Sequence, residues 1–383
     1  MINQTAVRTG AVYGSLLFMV GVMLPFLPVW LAARGFSIAE VAFALAMQSV
    51  VRVVATPVIA YMADRYRARR RFIFSLALLS AIFMALAALV DDKSAVIVLI
   101  VLAAAAWAPI MPMLDAVAVE QSEAGYYDYG RVRIAGSVTF VAGSLGAGAL
   151  LSVIAKTELI WVLVATHVLL TLSALALPKL GAAKAGPQQP LSLGAARKVL
   201  LTGGFSLLII VAGLTQASHA VYYGFGSLHW ASTGYTGVTI GALWSIGVVA
   251  EIGLFMYARG VVERIGPVML LAAGAGIGTL RWTLMAIDPP VAIVAVLQVL
   301  HAASYGMTHL GTIYYIRRFI DADYAGTAQG VFVAISGGII MTCAIALAGW
   351  AYNSFAALGY LSMSVMCFAA LVLSVVLNRR TMA

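Results

Sequence analysis

Long apolar runs separated by short polar breaks set the pattern of this chain. A helix crosses a bilayer in about 20 mostly apolar residues. Runs of that kind fall near 9–33, 38–62, 72–90, 95–119, 134–155 and 159–177, and again near 199–226, 237–258, 265–284, 291–314, 325–350 and 357–377. The pattern predicts twelve transmembrane helices. Between the sixth and seventh runs, residues 178–198 hold Gly181, Gly186, Pro187, Pro190 and two glutamines, and read as a polar linker. The expected architecture is an all-α membrane protein of two six-helix bundles, 1–177 and 199–383, joined by that linker.

Composition sharpens this reading. Of 383 residues, 63% are hydrophobic and 10% charged, whereas soluble globular chains carry roughly 25% charged residues. Soluble, disordered and disulfide-scaffold classes are excluded together. Cys343 and Cys367 both sit in apolar runs and read as small buried hydrophobes. The net charge of +9 is distributed by topology: 18 basic residues flank the runs on one side, while Arg34, Lys93, Lys156 and Arg281 flank the other and Arg52 lies inside a run. Basic residues favour the cytoplasmic side, so both termini and the linker are expected in the cytoplasm. The charge then needs no nucleic acid to explain it.

Glycine and proline interrupt every third run: Gly21, Pro25 and Pro28 in the first, Pro109 and Pro112 in the fourth, Gly224 and Gly226 in the seventh, Gly306 and Gly311 in the tenth. Repeat-built transporters place substrate sites near the midplane on such broken helices; the alternative is that these residues are simply common in membrane helices. Polar residues inside the runs are costly in lipid and mark function or pairing. The tenth run is richest, with Gln298, His301, Tyr305, Thr308, His309 and Thr312 on one helix face. At 1.5 Å per residue, His301 lies about 15 Å and His309 about 27 Å from the periplasmic start, and Glu251 about 21 Å along the eighth run. Glu251, His301 and His309 are therefore candidate proton carriers, against a reading in which they only pair with neighbouring helices.

Gln216, His219 and Tyr223 share a face of the seventh run, and Tyr13, Phe18, Trp30 and Trp107 are candidate aromatic wall or plain packing. Trp230 and Trp282, near run ends, are expected in interfacial belts. Arg52 is the deep cation of the first half, either a counter-charge for an anionic substrate or neutralised by Asp115. Arg281, three residues from its periplasmic run end, is not expected to reach Glu251. No metal-ligand cluster, phosphate loop or nucleophile–base constellation is apparent, so neither a cofactor nor an enzymatic activity is expected.

The stretch Ala60-Tyr-Met-Ala63-Asp64-Arg65-Tyr66-Arg67-Ala68-Arg69-Arg70 resembles the Gly-x-x-x-Asp-Arg-x-Gly-x-Arg-Arg signature of the major facilitator superfamily, with Ala60 and Arg67 in place of the glycines. Tyr129-Gly-Arg131-Val-Arg133-Ile-Ala-Gly136-Ser137 and Leu300-His301-Ala-Ala-Ser-Tyr305-Gly306-Met-Thr-His309-Leu-Gly resemble its phenylpropionate-permease branch, related to lactose-permease-like proton symporters. The resemblance implies a gating role for Asp64 and Arg65, and Asp115, Arg131 and Arg133 are grouped with them. It also implies proton coupling through an acid in the eighth helix and His in the tenth, here without any acid in the tenth. The resulting expectation is a monomeric, proton-coupled importer of a small, aromatic organic acid in a bacterial inner membrane. Arg52, Gln216, His219, Tyr223, Gln298 and Tyr305 are its substrate contacts. A sugar or nucleoside symporter and an efflux antiporter for amphipathic compounds are the alternatives. The fifth run carries Gly143, Gly146 and Gly148 but lacks the proline usual in the antiporters.

Overall fold

The computed structural model describes residues 4–178 and 193–382, so residues 179–192 of the expected linker lie outside the described residues. Every regular element described is helical. In chain order these are α1 (Gln4–Ala33), α2 (Ile38–Arg65), α3 (Arg69–Leu89), α4 (Lys93–Trp107), α5 (Ile110–Glu123), α6 (Tyr129–Leu150), α7 (Leu159–Leu175), α8 (Leu193–Leu201), α9 (Phe205–Ala217), α10 (Ser227–Ser232), α11 (Gly237–Met256), α12 (Ala258–Ile265), α13 (Pro267–Ala286), α14 (Val291–Val299), α15 (Thr308–Phe319), α16 (Ala325–Phe332), α17 (Met341–Phe355) and α18 (Tyr360–Met382). Eleven stretches among the described residues are long and apolar enough to cross a membrane. Ten overlap the first ten predicted runs one for one, and the eleventh, Ala325–Arg380, holds the last two in 56 residues. Inside it the backbone turns at Ala356, with φ 48° and ψ −125°.

The predicted interruptions have local causes. Pro109 separates α4 from α5, since a proline ring removes an N–H and clashes with the preceding turn. Pro25 and Pro28 instead sit within a continuous α1, where they deprive the carbonyls of Gly21 and Leu24 of in-helix donors. The seventh and tenth stretches carry π-helical turns at Tyr222–Gly226 and Ala302–Met307, and a third occupies Val333–Ile340. Helix starts are capped at the stretch ends: Ser37 and Glu40 form a capping box on α2, and Asp92 and Asp128 cap α4 and α6.

The described residues form two compact units, 4–178 with 230–245, and 193–229 with 246–382. In the first, α1 packs on α6 and α7, and α3 on α4 and α7. Glycines permit the close α1–α6 crossing: a Cβ on Gly21 would strike the Phe140 backbone, and Thr139 Oγ1 donates to the Gly14 carbonyl at 2.7 Å. The same unit brings Gly237 and Gly241 of α11 against Gly148 and Ser144 of α6, and the Ser144 hydroxyl donates to the Gly241 carbonyl at 3.2 Å. Small residues four apart on both helices let backbones meet in a way larger side chains forbid. Gly148→Ala is therefore expected to destabilise the protein by about 1–3 kcal/mol through overpacking, read as a lower unfolding midpoint in detergent; Gly146→Ala, which meets open space, is the control.

In the second unit, α13 packs on α18, α15 and the Ala302–Met307 turn, and α9 on α18 and the Val333–Ile340 turn. Gly274 lies under Thr308 Oγ1, Gly278 under Cys367 Sγ, and Gly311 against the Pro267 carbonyl. These contacts draw the tenth stretch and α18 tightly onto α13.

Candidate functional site

The consequence of that packing is the burial of Arg281. Its side chain is fully covered, although it stands in the last turns of α13. Nη2 donates to Gln298 Oε1 at 2.8 Å, and Nη1 to Ser304 Oγ at 3.1 Å and to His301 Nδ1 at 3.2 Å. The guanidinium carbon lies 4.4 Å from the Trp282 ring centroid and 5.2 Å from that of Tyr222. Among the described residues Arg281 forms no ion pair, and its Nε, like Gln298 Nε2 and Tyr360 Oη, is buried without a partner. A buried unpaired cation and three unused polar atoms are expensive to maintain.

The hydrogen-bond directions follow from the donor inventory. A guanidinium only donates, so His301 Nδ1 is the lone-pair nitrogen and its ring proton sits on Nε2. That nitrogen faces Glu251 Oε2 at 3.9 Å. In parallel, Ser304 Oγ accepts from Arg281 and lies 3.2 Å from His219 Nε2, while His219 Nδ1 meets the Gln216 carbonyl at 3.1 Å. A carbonyl only accepts, so His219 carries its proton on Nδ1 and takes the serine hydroxyl at Nε2. Two polar chains thus leave one arginine, one towards Glu251 and one towards Gln216.

An aromatic wall closes around them. His301 stacks on Tyr305 at 5.3 Å and Tyr305 on His309 at 6.3 Å, one rung per helical turn of the tenth stretch. His219 meets Tyr223, Tyr305 and His301 at 5.5, 5.8 and 5.2 Å. Trp282 stacks on Tyr360 at 5.7 Å, and its indole N–H donates to Ser218 Oγ at 2.9 Å. Gly306, between the two histidines, leaves room for α11: a Cβ there would lie 3.6 Å from Glu251 Cγ.

Of the residues expected to act, His219, Tyr223, Glu251, Gln298, His301, Tyr305 and His309 fall into this one cluster, and Gln216 meets it through its backbone carbonyl. Arg281 meets His301, the residue that faces Glu251, because the glycines of α13 allow its neighbours to cover it. One expectation needs correction. Trp282 and Trp230 are 0% and 2% exposed, so neither forms an interfacial belt. Ser304 and Tyr360 carry no comparable signal in the sequence, and Tyr222, a polar residue of the seventh run, stands off the face that Gln216, His219 and Tyr223 share; the π turns at Tyr222 and around Ser304 were foreshadowed by the nearby glycines alone.

The remaining candidates lie in the first unit. Arg52 donates Nε to the Gln48 carbonyl at 3.1 Å and lies 5.9 Å from the Trp107 centroid. It is not paired with Asp115, which accepts from Tyr13 at 2.5 Å and Tyr129 at 3.0 Å and stands 3.8 Å from Arg133. Asp64 is bonded by Arg69, which also grips Glu120 of α5. Arg65 is exposed, as is Arg131, whose backbone N–H caps onto Asp128 Oδ1 at 2.9 Å. Arg67 turns the chain with φ 51°, the left-handed conformation that suits the glycine of the resembled signature.

The family model described as "MFS_1 like family" matches residues 12–372. The chain is 30% identical over 334 residues to the "Probable 3-phenylpropionic acid transporter" of Escherichia coli (strain K12), covering 84% of this chain and 87% of that one. It is 27% identical over 335 residues to the "Maltose permease" of Geobacillus stearothermophilus, covering 85% and 82%. Among solved structures, that of nucleoside transporter NupG superposes with a TM-score of 0.83 at 16% identity over 98% of both chains. An auto-inhibited POT family peptide transporter superposes with 0.73 at 12% identity, over 98% of this chain and 96% of that one.

Proposed function

The chain belongs to the MFS_1 like family of major facilitator transporters, and on that premise we propose that it imports a small aromatic carboxylic acid together with protons across the bacterial inner membrane. It is a multi-pass secondary transporter; substrate, coupling and topology are the proposal. The observation that carries it is Arg281: a buried cation with no carboxylate partner, walled by Tyr222, Trp282 and Tyr360. A substrate carboxylate would supply the missing counter-charge and could accept from Nε and from Gln298 Nε2. Aromatic faces would receive the ring. The 30% identity to a phenylpropionic acid transporter supports the same class.

Coupling runs through Glu251. The proton of His301 Nε2 points at its carboxylate, while Arg281 keeps Nδ1 occupied as an acceptor. When Arg281 turns to the substrate and frees Nδ1, His301 can take a proton there and give its Nε2 proton to the Glu251 carboxylate. Alternating access then exposes the loaded site to each side in turn. Ala325–Arg380 is about 84 Å long at 1.5 Å per residue, too long for one crossing of a 30 Å core; as two spans it brings the total to twelve and both termini to the basic, cytoplasmic side.

Arg69 is the latch residue in this reading, bridging Asp64 and Glu120, with Asp115 and Arg133 as a second, tyrosine-braced pair. Losing one charged hydrogen bond of roughly 1.5 kcal/mol shifts a two-state equilibrium about tenfold. Arg69→Gln is expected to slow transport by about that factor with substrate affinity kept, and Arg65→Gln to leave the rate unchanged, in vesicle uptake assays.

A sugar or nucleoside substrate is the second reading, favoured by the unpaired amide of Gln298 and the maltose permease relative. Proteoliposomes with an internal pH dye separate the two: external phenylpropionate or benzoate acidifies the lumen beyond protein-free vesicles if the first reading holds, and a disaccharide or nucleoside does so if the second does. Alkalinisation on adding an amphipathic drug against an inward-acid gradient would instead indicate antiport.

A further inference from the structure

At one end of the first unit a pocket of about 500 Å³ is lined by Arg8, Arg70, Leu175, Ala176, Leu177 and Pro178. It lies where three candidate membrane spans terminate: the start of α1, the start of α3 and the end of α7. The two arginines differ from their neighbour Arg69, which holds two carboxylates. Neither Arg8 nor Arg70 forms an ion pair among the described residues. Arg70 is instead oriented by a single bond, Nη2 to the Leu175 carbonyl at 3.0 Å, one of the carbonyls left open at a helix C-terminus. Its other N–H groups remain for a ligand. Beside them Leu175 is 53% exposed, an apolar shelf at the membrane end of the pocket.

We infer that Arg8 and Arg70 form a binding site for a phosphate group at the bilayer boundary, carried by an anionic phospholipid whose acyl chain lies along Leu175. Guanidinium groups match phosphate oxygens in a planar fork, and basic pockets between membrane helices on the cytoplasmic side bind anionic headgroups. The site is independent of the substrate proposed above.

The test is native mass spectrometry of the full chain in detergent with phosphatidylglycerol, phosphatidylcholine or inorganic phosphate added in separate arms. Retained phosphatidylglycerol adducts that weaken in the double variant R8Q/R70Q, but not in R379Q/R380Q with the same charge loss at the far end of the chain, are the expected result. Each arginine at a surface contributes about fivefold, so the pair is worth about 25-fold. R8K/R70K, which keeps the charge and loses the fork, should fall between and serves if R8Q/R70Q does not fold. Phosphate-dependent stabilisation that needs both arginines, without lipid retention, would assign the same site to free phosphate. Adducts that survive in R8Q/R70Q, or that R379Q/R380Q loses equally, would overturn the inference.

Discussion

Replacing Glu251 by glutamine is expected to lower the substrate accumulation that a one-unit pH gradient sustains from about tenfold to about one. A pH unit is worth 1.36 kcal/mol per proton, which is tenfold in concentration; an anion that moves with one proton carries no net charge and equilibrates with that gradient alone. Glutamine keeps the shape and the hydrogen-bonding reach of the side chain beside His301, 3.9 Å away, but cannot exchange a proton. Exchange of labelled for unlabelled substrate with no gradient should persist, since it needs only the binding and rocking steps. Proteoliposomes loaded at a fixed internal pH, sampled for both modes, make the check. Full accumulation by the glutamine variant would remove Glu251 from the coupling role.

Arg281→Lys should weaken carboxylate binding by about 10–100-fold, the span of roughly 1.5–3 kcal/mol for a hydrogen bond to a charged group. Lysine retains the charge but cannot reach Gln298, Ser304 and His301 together, nor offer the unpaired Nε to a substrate. Trp282 supplies the readout, because its ring lies 4.4 Å from the guanidinium and its emission should respond when an anion binds. An affinity unchanged in the lysine variant, with Trp282 still responsive, would place the carboxylate elsewhere.

Much of this molecule is readable along the chain for a reason of scale. Bilayer thickness fixes the length of an apolar run, so the stretches could be placed to within several residues: 134–155 is Tyr129–Leu150 and 199–226 is Phe205–Ser232. Helix faces were legible too: Gln216, His219 and Tyr223 on one, Gln298, His301, Tyr305 and His309 on another. Arg281 escaped because counting along an axis gives depth and says nothing of what covers a side chain laterally. Its burial depends on Gly274, Gly278 and Gly311 admitting neighbouring backbones, a property of pairs of helices. The same limit hid Arg69 as the partner of Asp64, and let Trp282 pass for a belt residue when it is a wall of the site.

The π turn at Ala302–Met307 also bears on descent and engineering. An α-helix advances 100° per residue, since 3.6 residues complete a turn, and a π turn accommodates one residue more than the regular ladder. It is the trace a single inserted codon would leave inside a straight helix. Removing one residue from this turn should restore the regular ladder and leave the helix beyond it in its present phase, because the turn already absorbs the extra residue. His309 and Gly311 would keep their places, while His301 would stand three residues from Tyr305 in place of four if the residue removed lies between them. The offset between His301 and the half-helix that follows it is thus held by one residue of chain length.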